Sequence, residues 1–194
     1  MMDAAIVAQA RAFHSDPARG YHGWDHPLAL LRHFEDVRDS LHDPVAVEAA
    51  ILFHDAIYDP KRSDNEPLSA KLAAQVLEGR VEPDTLARAV RMIEATQFHA
   101  LRDDIAPEET HDTAIFLDLD LSILGASAEA FDAYEVGVRK EYSFVPEAAF
   151  KAGRAAILER FLARERLYLS PWGFERFEGP ARRNLERSLA ALKG

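Results

Sequence analysis

The stretch AILFHDAIYDP, residues 49–59, sets His54 and Asp55 side by side in an otherwise oily run. A charge in such a place is costly unless something pairs with it. A divalent metal ion would do so, taking the lone pair of a neutral imidazole and balancing the carboxylate. The alternative is a buried structural ion pair, or a core histidine satisfied by hydrogen bonds. Adjacent helical positions diverge by about 100°, so the pair would converge on an ion just off the helix surface, and further ligands must come from elsewhere. YHGWDHPLALLRHF, residues 21–34, places His26 ahead of an apolar stretch, and FLDLDLSILG, residues 116–125, places Asp118 and Asp120 inside another. Two positions apart means about 200° around a helix, so both aspartates cannot face one ion. Asp120, with Phe116, Leu117, Ile123 and Leu124 around it, is the preferred ligand; Asp118 reads as a supporting or solvent-facing carboxylate.

His-Asp also occurs at His42-Asp43 and His111-Asp112. Asp43 precedes Pro44 and reads as a helix N-cap. Asp112 reads as a first-turn carboxylate favoured by the helix dipole. Only His54-Asp55 reads as the interior of an apolar helix.

These elements must sit in a chain of 194 residues, 48% hydrophobic and 29% charged, which is enough for a sizeable core. A single domain over 1–194 is expected, with a metal-site core over about 21–125 and helices from 127–194 packing on it. The absence of cysteine excludes disulfides and Cys-ligated metals, so any ion must use His, Asp and Glu. The net charge of −10 argues against non-specific nucleic-acid or membrane binding. No signal peptide or membrane span is expected, and the compartment is read as cytoplasmic.

The apolar spacing is helical nearly throughout, predicting an all-α bundle of about eight to nine helices. Helices are expected over 3–14, from Pro27 to about Leu41, from Pro44 through Tyr58, from Asn65 to near Gly79, and over 84–98. Others are expected over 111–124, from Ser127 to Tyr142, from Pro146 through Tyr168, and over 180–192. Residues 169–180 read as a loop.

A histidine before an apolar helix, a His-Asp pair in an apolar helix and an aspartate in a late one, in that order, resemble the HD superfamily of metal-dependent phosphohydrolases. FHDAIYD, NEPLSA, FLDLDLSILG and VRKEY look closest to its branch of small HD phosphohydrolases. The resemblance implies an HD-like helical bundle, a metal shell of His26, His54, Asp55 and Asp120, and hydrolysis of a phosphate ester, often on a nucleotide. The expected partner is therefore a small-molecule phosphate ester, with a homo-oligomer allowed. Binuclear members tend to carry a histidine where Asn65 stands in NEPLSA; asparagine is a poor ligand, which favours one ion. That ion could be Mn, Fe, Co, Ni, Mg or Zn, with a closed structural zinc disfavoured by open coordination positions. A non-catalytic metal- or nucleotide-binding module of the same fold is the alternative, as is a purely structural helical domain.

Proton transfer needs a nearby acid or base. Asp59, one helical turn beyond Asp55, is one candidate, and a loop carboxylate before Pro60 is its alternative. Glu66 is another, though a glutamate there also suits capping. His99 could touch phosphate or a second ion, or simply end a helix. His22 is read as supporting the site or facing substrate. Arg139 and Arg154 are the preferred phosphate contacts, against surface salt bridges to Glu135, Glu141 or Glu159. Tyr21, Trp24, Trp172, Phe174 and Phe177 could stack a base or be core.

Overall fold

Prolines and short polar caps start most of the helices. Pro44, Pro83, Pro107 and Pro171 each open one, where a missing N–H costs nothing. Asp3, Asp43, Ser127 and Ser170 each accept a backbone N–H at a helix start. The computed structural model describes residues 2–101, 103 and 105–194. Among these the chain forms nine α-helices and no strand. In order they are α1 (Ala4–Phe13), α2 (Asp25–Val37), α3 (Pro44–Phe53), α4 (Asn65–Leu77) and α5 (Pro83–Ala95), then α6 (Pro107–Asp120), α7 (Ala128–Glu141), α8 (Glu147–Leu162) and α9 (Pro171–Lys193). Short 3-10 turns cover Arg38–Ser40 and Leu121–Gly125. The all-α expectation holds. No helix among the described residues is long and apolar enough to cross a membrane.

Helix α3 is the centre. Every residue from Ala46 to Phe53 is buried, and the helix touches α1, α2, α4, α5 and α6. Its Ile51, Leu52 and Phe53 pack with Leu30, Phe34, Leu77, Met92 and Phe116 in one hydrophobic cluster. Each large side chain buried there contributes about 2 kcal/mol. A second cluster gathers Leu124, Phe131, Leu158, Tyr168, Phe177 and Leu185, and Trp172 packs against both. Asp120 stands between Leu119 of the first cluster and Leu121 of the second.

Four boundaries depart from expectation. Helix α3 stops at Phe53, and His54 is its C-cap, so His54-Asp55 ends a helix instead of lying inside one. The Arg19 guanidinium takes the Asp55 and Ala56 carbonyls that a continuing helix would have used internally. Helix α8 ends at Leu162, and the expected break at Pro180 does not occur: α9 runs through it. An internal proline costs about 3 kcal/mol, offset here by burial of Phe177, Ala181 and Leu185 at four-residue spacing on the same helix. Helix α6 starts at Pro107, which moves Asp112 out of the first turn; its carboxylate instead accepts the His42 and Asp43 N–H groups.

Candidate metal centre

Three chain segments converge on one point. His26 stands in the first turn of α2, His54 and Asp55 at the end of α3, and Asp120 where α6 tightens into a 3-10 turn. His26 Nε2 lies 3.0 Å from His54 Nε2 and 3.1 Å from Asp120 Oδ1. Asp55 Oδ2 lies 3.1 Å from His54 Nε2 and 3.7 Å from His26 Nε2, and His54 Nε2 is 3.4 Å from Asp120 Oδ1. Adjacent donors around an ion with bonds of about 2.1 Å stand about 3 Å apart, so His26, His54 and Asp120 are spaced as a group that could hold an ion, with Asp55 beside the two histidines.

Proton placement supports the fit. His54 Nδ1 faces the Ile51 carbonyl at 3.1 Å and must carry the proton there, which leaves the Nε2 lone pair aimed at the cluster. Asp120 Oδ2 accepts from His99 Nε2 at 2.9 Å, leaving Oδ1 for the cluster. His26 differs: its Nδ1 is buried with no partner, so its ring lacks the second hydrogen bond that orients His54. Burial opposes charge throughout, yet the Asp55 and Asp120 carboxylates push the His54 imidazole well above its usual value. Burial likewise opposes ionisation of both aspartates, but His54 beside them holds each below the carboxylate range. For His26, burial prevails and lowers it. The two carboxylates thus favour a positive charge at His54 Nε2, the place that a divalent ion would take instead of a proton.

Asp55 is held by its backbone. Arg19 donates to the Asp55, Ala56 and His22 carbonyls, tying the Tyr21-His22 loop to the turn after α3. Ser69, fully buried on α4, accepts the Ile57 N–H and donates to the Ile57 carbonyl. Asn65 is spent in the same way: its side chain accepts the Asp59 N–H and donates to the Asp59 carbonyl. The Asp59 carboxylate accepts the Lys61 N–H in the loop. With no helix here, Asp55 and Asp59 share no helical face. Glu66 sits in the first turn of α4, partly exposed, within electrostatic reach of Tyr142.

Glu141 fastens the opposite side. Its buried carboxylate accepts the Tyr21 and His22 N–H groups, His22 Nδ1 and the Tyr58 hydroxyl, all at 2.8–2.9 Å. Burial opposes its charge, but His22 and these donors hold it down to about 2. The His22 ring stacks on Tyr58 at 4.1 Å. The loop approaches α7 at Gly20 and Gly137, where a Cβ on Gly137 would lie 2.7 Å from the Gly20 oxygen.

His22, His26, His99 and Asp120 all face one cavity of about 490 Å³. His99 reaches it from a left-handed backbone, φ 46°, a conformation costing about 1–2 kcal/mol for a residue with a Cβ. Arg154 lines the cavity, but its guanidinium is bound to Glu135 and to the Tyr134 hydroxyl. Arg139 is not brought there; it donates to Glu147 and to the Tyr142 and Val145 carbonyls between α7 and α8. Of the aromatic candidates only Tyr21 lines the cavity, Trp24, Trp172 and Phe177 pack against the two cores, and Phe174 is exposed.

Asp118 is the more deeply buried of the two α6 aspartates, contrary to the sequence expectation. It accepts from Leu169 N, Ser170 N and Ser170 Oγ, anchoring the start of α9. Sequence reasoning missed Arg19, Tyr58 and Ser69, and named Glu141 only as a salt-bridge partner. None carries a periodic signal, since their roles depend on contacts made across the fold. No family model, no curated protein and no solved structure matches this chain.

Proposed function

We propose that the chain is a metal-dependent phosphohydrolase that cleaves a phosphate ester of a small molecule, with one divalent ion held by His26, His54, Asp55 and Asp120. The observation that carries this reading is the grouping of His26, His54 and Asp120, 3.0–3.4 Å apart, with Asp55 3.1 Å from His54 and 3.7 Å from His26, where His26 and Asp120 line a ligand-sized cavity. The sequence resemblance to HD phosphohydrolases points the same way. When bound, the ion would polarise a phosphoryl oxygen and lower the pKa of a nearby water. Water adds to phosphorus, the ester P–O bond breaks, and the departing oxygen takes a proton, giving an alcohol and inorganic phosphate.

The chain's own residues have separable parts in this scheme. His99 fixes the Asp120 carboxylate through one oxygen. His22, its Nδ1 held by Glu141 and its ring facing the cavity, is placed to pass a proton to the departing oxygen. Asn65, with both ends of its amide engaged by the Asp59 backbone, is a positioning residue, in keeping with a single ion.

A second reading, a binding module without turnover, is favoured by the engagement of Arg139 and Arg154 with Glu147 and Glu135, which leaves neither free to neutralise phosphate. Hydrolysis of p-nitrophenyl phosphate with added Mn or Co separates the two. Turnover that is lost in Asp55→Ala supports the hydrolase. An ion bound without turnover supports the module, and full activity in Asp55→Ala overturns the site.

A further inference from the structure

The cavity beside the cluster is a chamber between α7 and α8. Helix α7 and its C-cap line it with Tyr134, Val138 and Tyr142, and α8 with Gly153, Ile157 and Phe161, each set at four-residue spacing. Leu121 and Leu124 of the 3-10 turn after Asp120 complete its apolar lining. His26 and Asp120 both line this chamber, whereas the second hollow of about 490 Å³ beside His26 does not include Asp120, so a ligand bound between the two residues extends into the chamber. A volume of about 490 Å³ suits a small organic molecule.

Charge narrows the choice further. Among the described residues that line the chamber, Arg154 is the only arginine or lysine, and Glu135 and Tyr134 already use its guanidinium. Arg164, on the chain after α8, donates to the Phe98 and His99 carbonyls. Arg19 and Arg139 are likewise spent on carbonyls or Glu147. Glu141 adds a buried negative charge behind His22. One phosphoryl group can be neutralised by the ion at the cluster. A second or third would enter an apolar space with no free cation, at the cost of burying unpaired charge.

We propose that the α7–α8 chamber selects monophosphate esters of apolar, uncharged alcohols and disfavours nucleoside di- and triphosphates. This rests on the phosphohydrolase reading above. Gly153 marks the wall where the selection can be altered, because a Cβ built there meets nothing within 4 Å and a larger side chain has room to enter.

The test uses the Mn-loaded full chain. Values of kcat/KM are compared for methyl, hexyl and 1-naphthyl phosphate, and for adenosine mono- and triphosphate. Each methylene buried is expected to raise kcat/KM about threefold to fourfold, so with five more methylenes hexyl should exceed methyl phosphate by about 250-fold or more. The monophosphate should exceed the triphosphate about tenfold or more. Gly153→Leu, and independently Ala149→Leu one turn earlier, should cut the hexyl-to-methyl ratio about fivefold or more. Binding of hexylphosphonate, whose C–P bond is not hydrolysed, is measured in parallel by calorimetry. Ester cleavage indifferent to chain length, or a preference for the triphosphate, overturns the selection and leaves the hydrolase reading standing. Hexylphosphonate binding that is weakened by Gly153→Leu, with no ester cleaved, upholds the selection and overturns the hydrolase reading. Neither binding nor cleavage overturns both.

Discussion

Replacing Glu141 by glutamine removes one charge and almost no volume, so its effect isolates the hydrogen bonds that tie the His22 loop to α7. In the native chain Oε1 takes the Tyr21 and His22 N–H groups, and Oε2 takes His22 Nδ1 and the Tyr58 hydroxyl. A glutamine whose carbonyl stays at Oε1 keeps the first two and sets an NH2 group against the other two donors. Two charge-assisted hydrogen bonds, each contributing about 1.5–3 kcal/mol, are then lost in a buried setting, partly recovered if the imidazole and hydroxyl turn to accept. The expected loss is about 2–4 kcal/mol, read as a lower urea midpoint at pH 7 with unchanged slope. The carboxyl is held down to about 2 when folded, below its unfolded value. Its stabilisation is therefore complete above the ordinary glutamate range and is lost as pH falls toward 2. The gap between wild type and Glu141→Gln should narrow from pH 7 to pH 3. Equal midpoints at pH 7, or a gap that widens on acidification, would contradict this role for Glu141.

Two further perturbations test other parts of the account. Ser69→Ala leaves both polar groups of the Ile57 backbone without their partner and should cost about 2 kcal/mol in urea unfolding while weakening Mn binding, because the turn carrying Asp55 loosens; a loss under about 0.5 kcal/mol would contradict this. His14 is buried, its Nδ1 donating to the Ala10 carbonyl, and burial lowers its pKa to about 4. Only the unfolded chain binds that proton between about pH 6.5 and 4, so wild-type stability should fall across this window by on the order of 3 kcal/mol, and His14→Gln should flatten the fall; parallel pH profiles would count against it.

Local signals read well where local chemistry decides. Pro44 behind Asp43, and Ser127 before Ala128, mark helix starts that need only a fixed φ and one side-chain hydrogen bond. Signals failed where a distant partner decides. AIY after His54-Asp55 continues an apolar pattern, yet the helix stops because Arg19 and Ser69, 36 and 12 residues away from the groups they bind, take over the backbone. Pro180 looks like a helix start, but burial of its neighbours on the second core carries α9 through it. Asp118 and Asp120 were separable by angle alone, which gave the facing but misjudged the depth: Asp118 is hidden by the chain that it holds at Leu169 and Ser170. Arg139 and Arg154 read as candidate phosphate contacts because sequence cannot reveal that Glu147 and Glu135 occupy them.

The central claim is that four side chains from distant parts of the chain hold one divalent ion. Mn content after loading and desalting, measured by mass spectrometry on wild type, His26→Ala and Asp120→Ala, tests it most directly. About one ion per wild-type chain is expected, with a loss of tight binding in each variant that still folds. Equal Mn retention in wild type and variants, or none in a folded wild type, would contradict it.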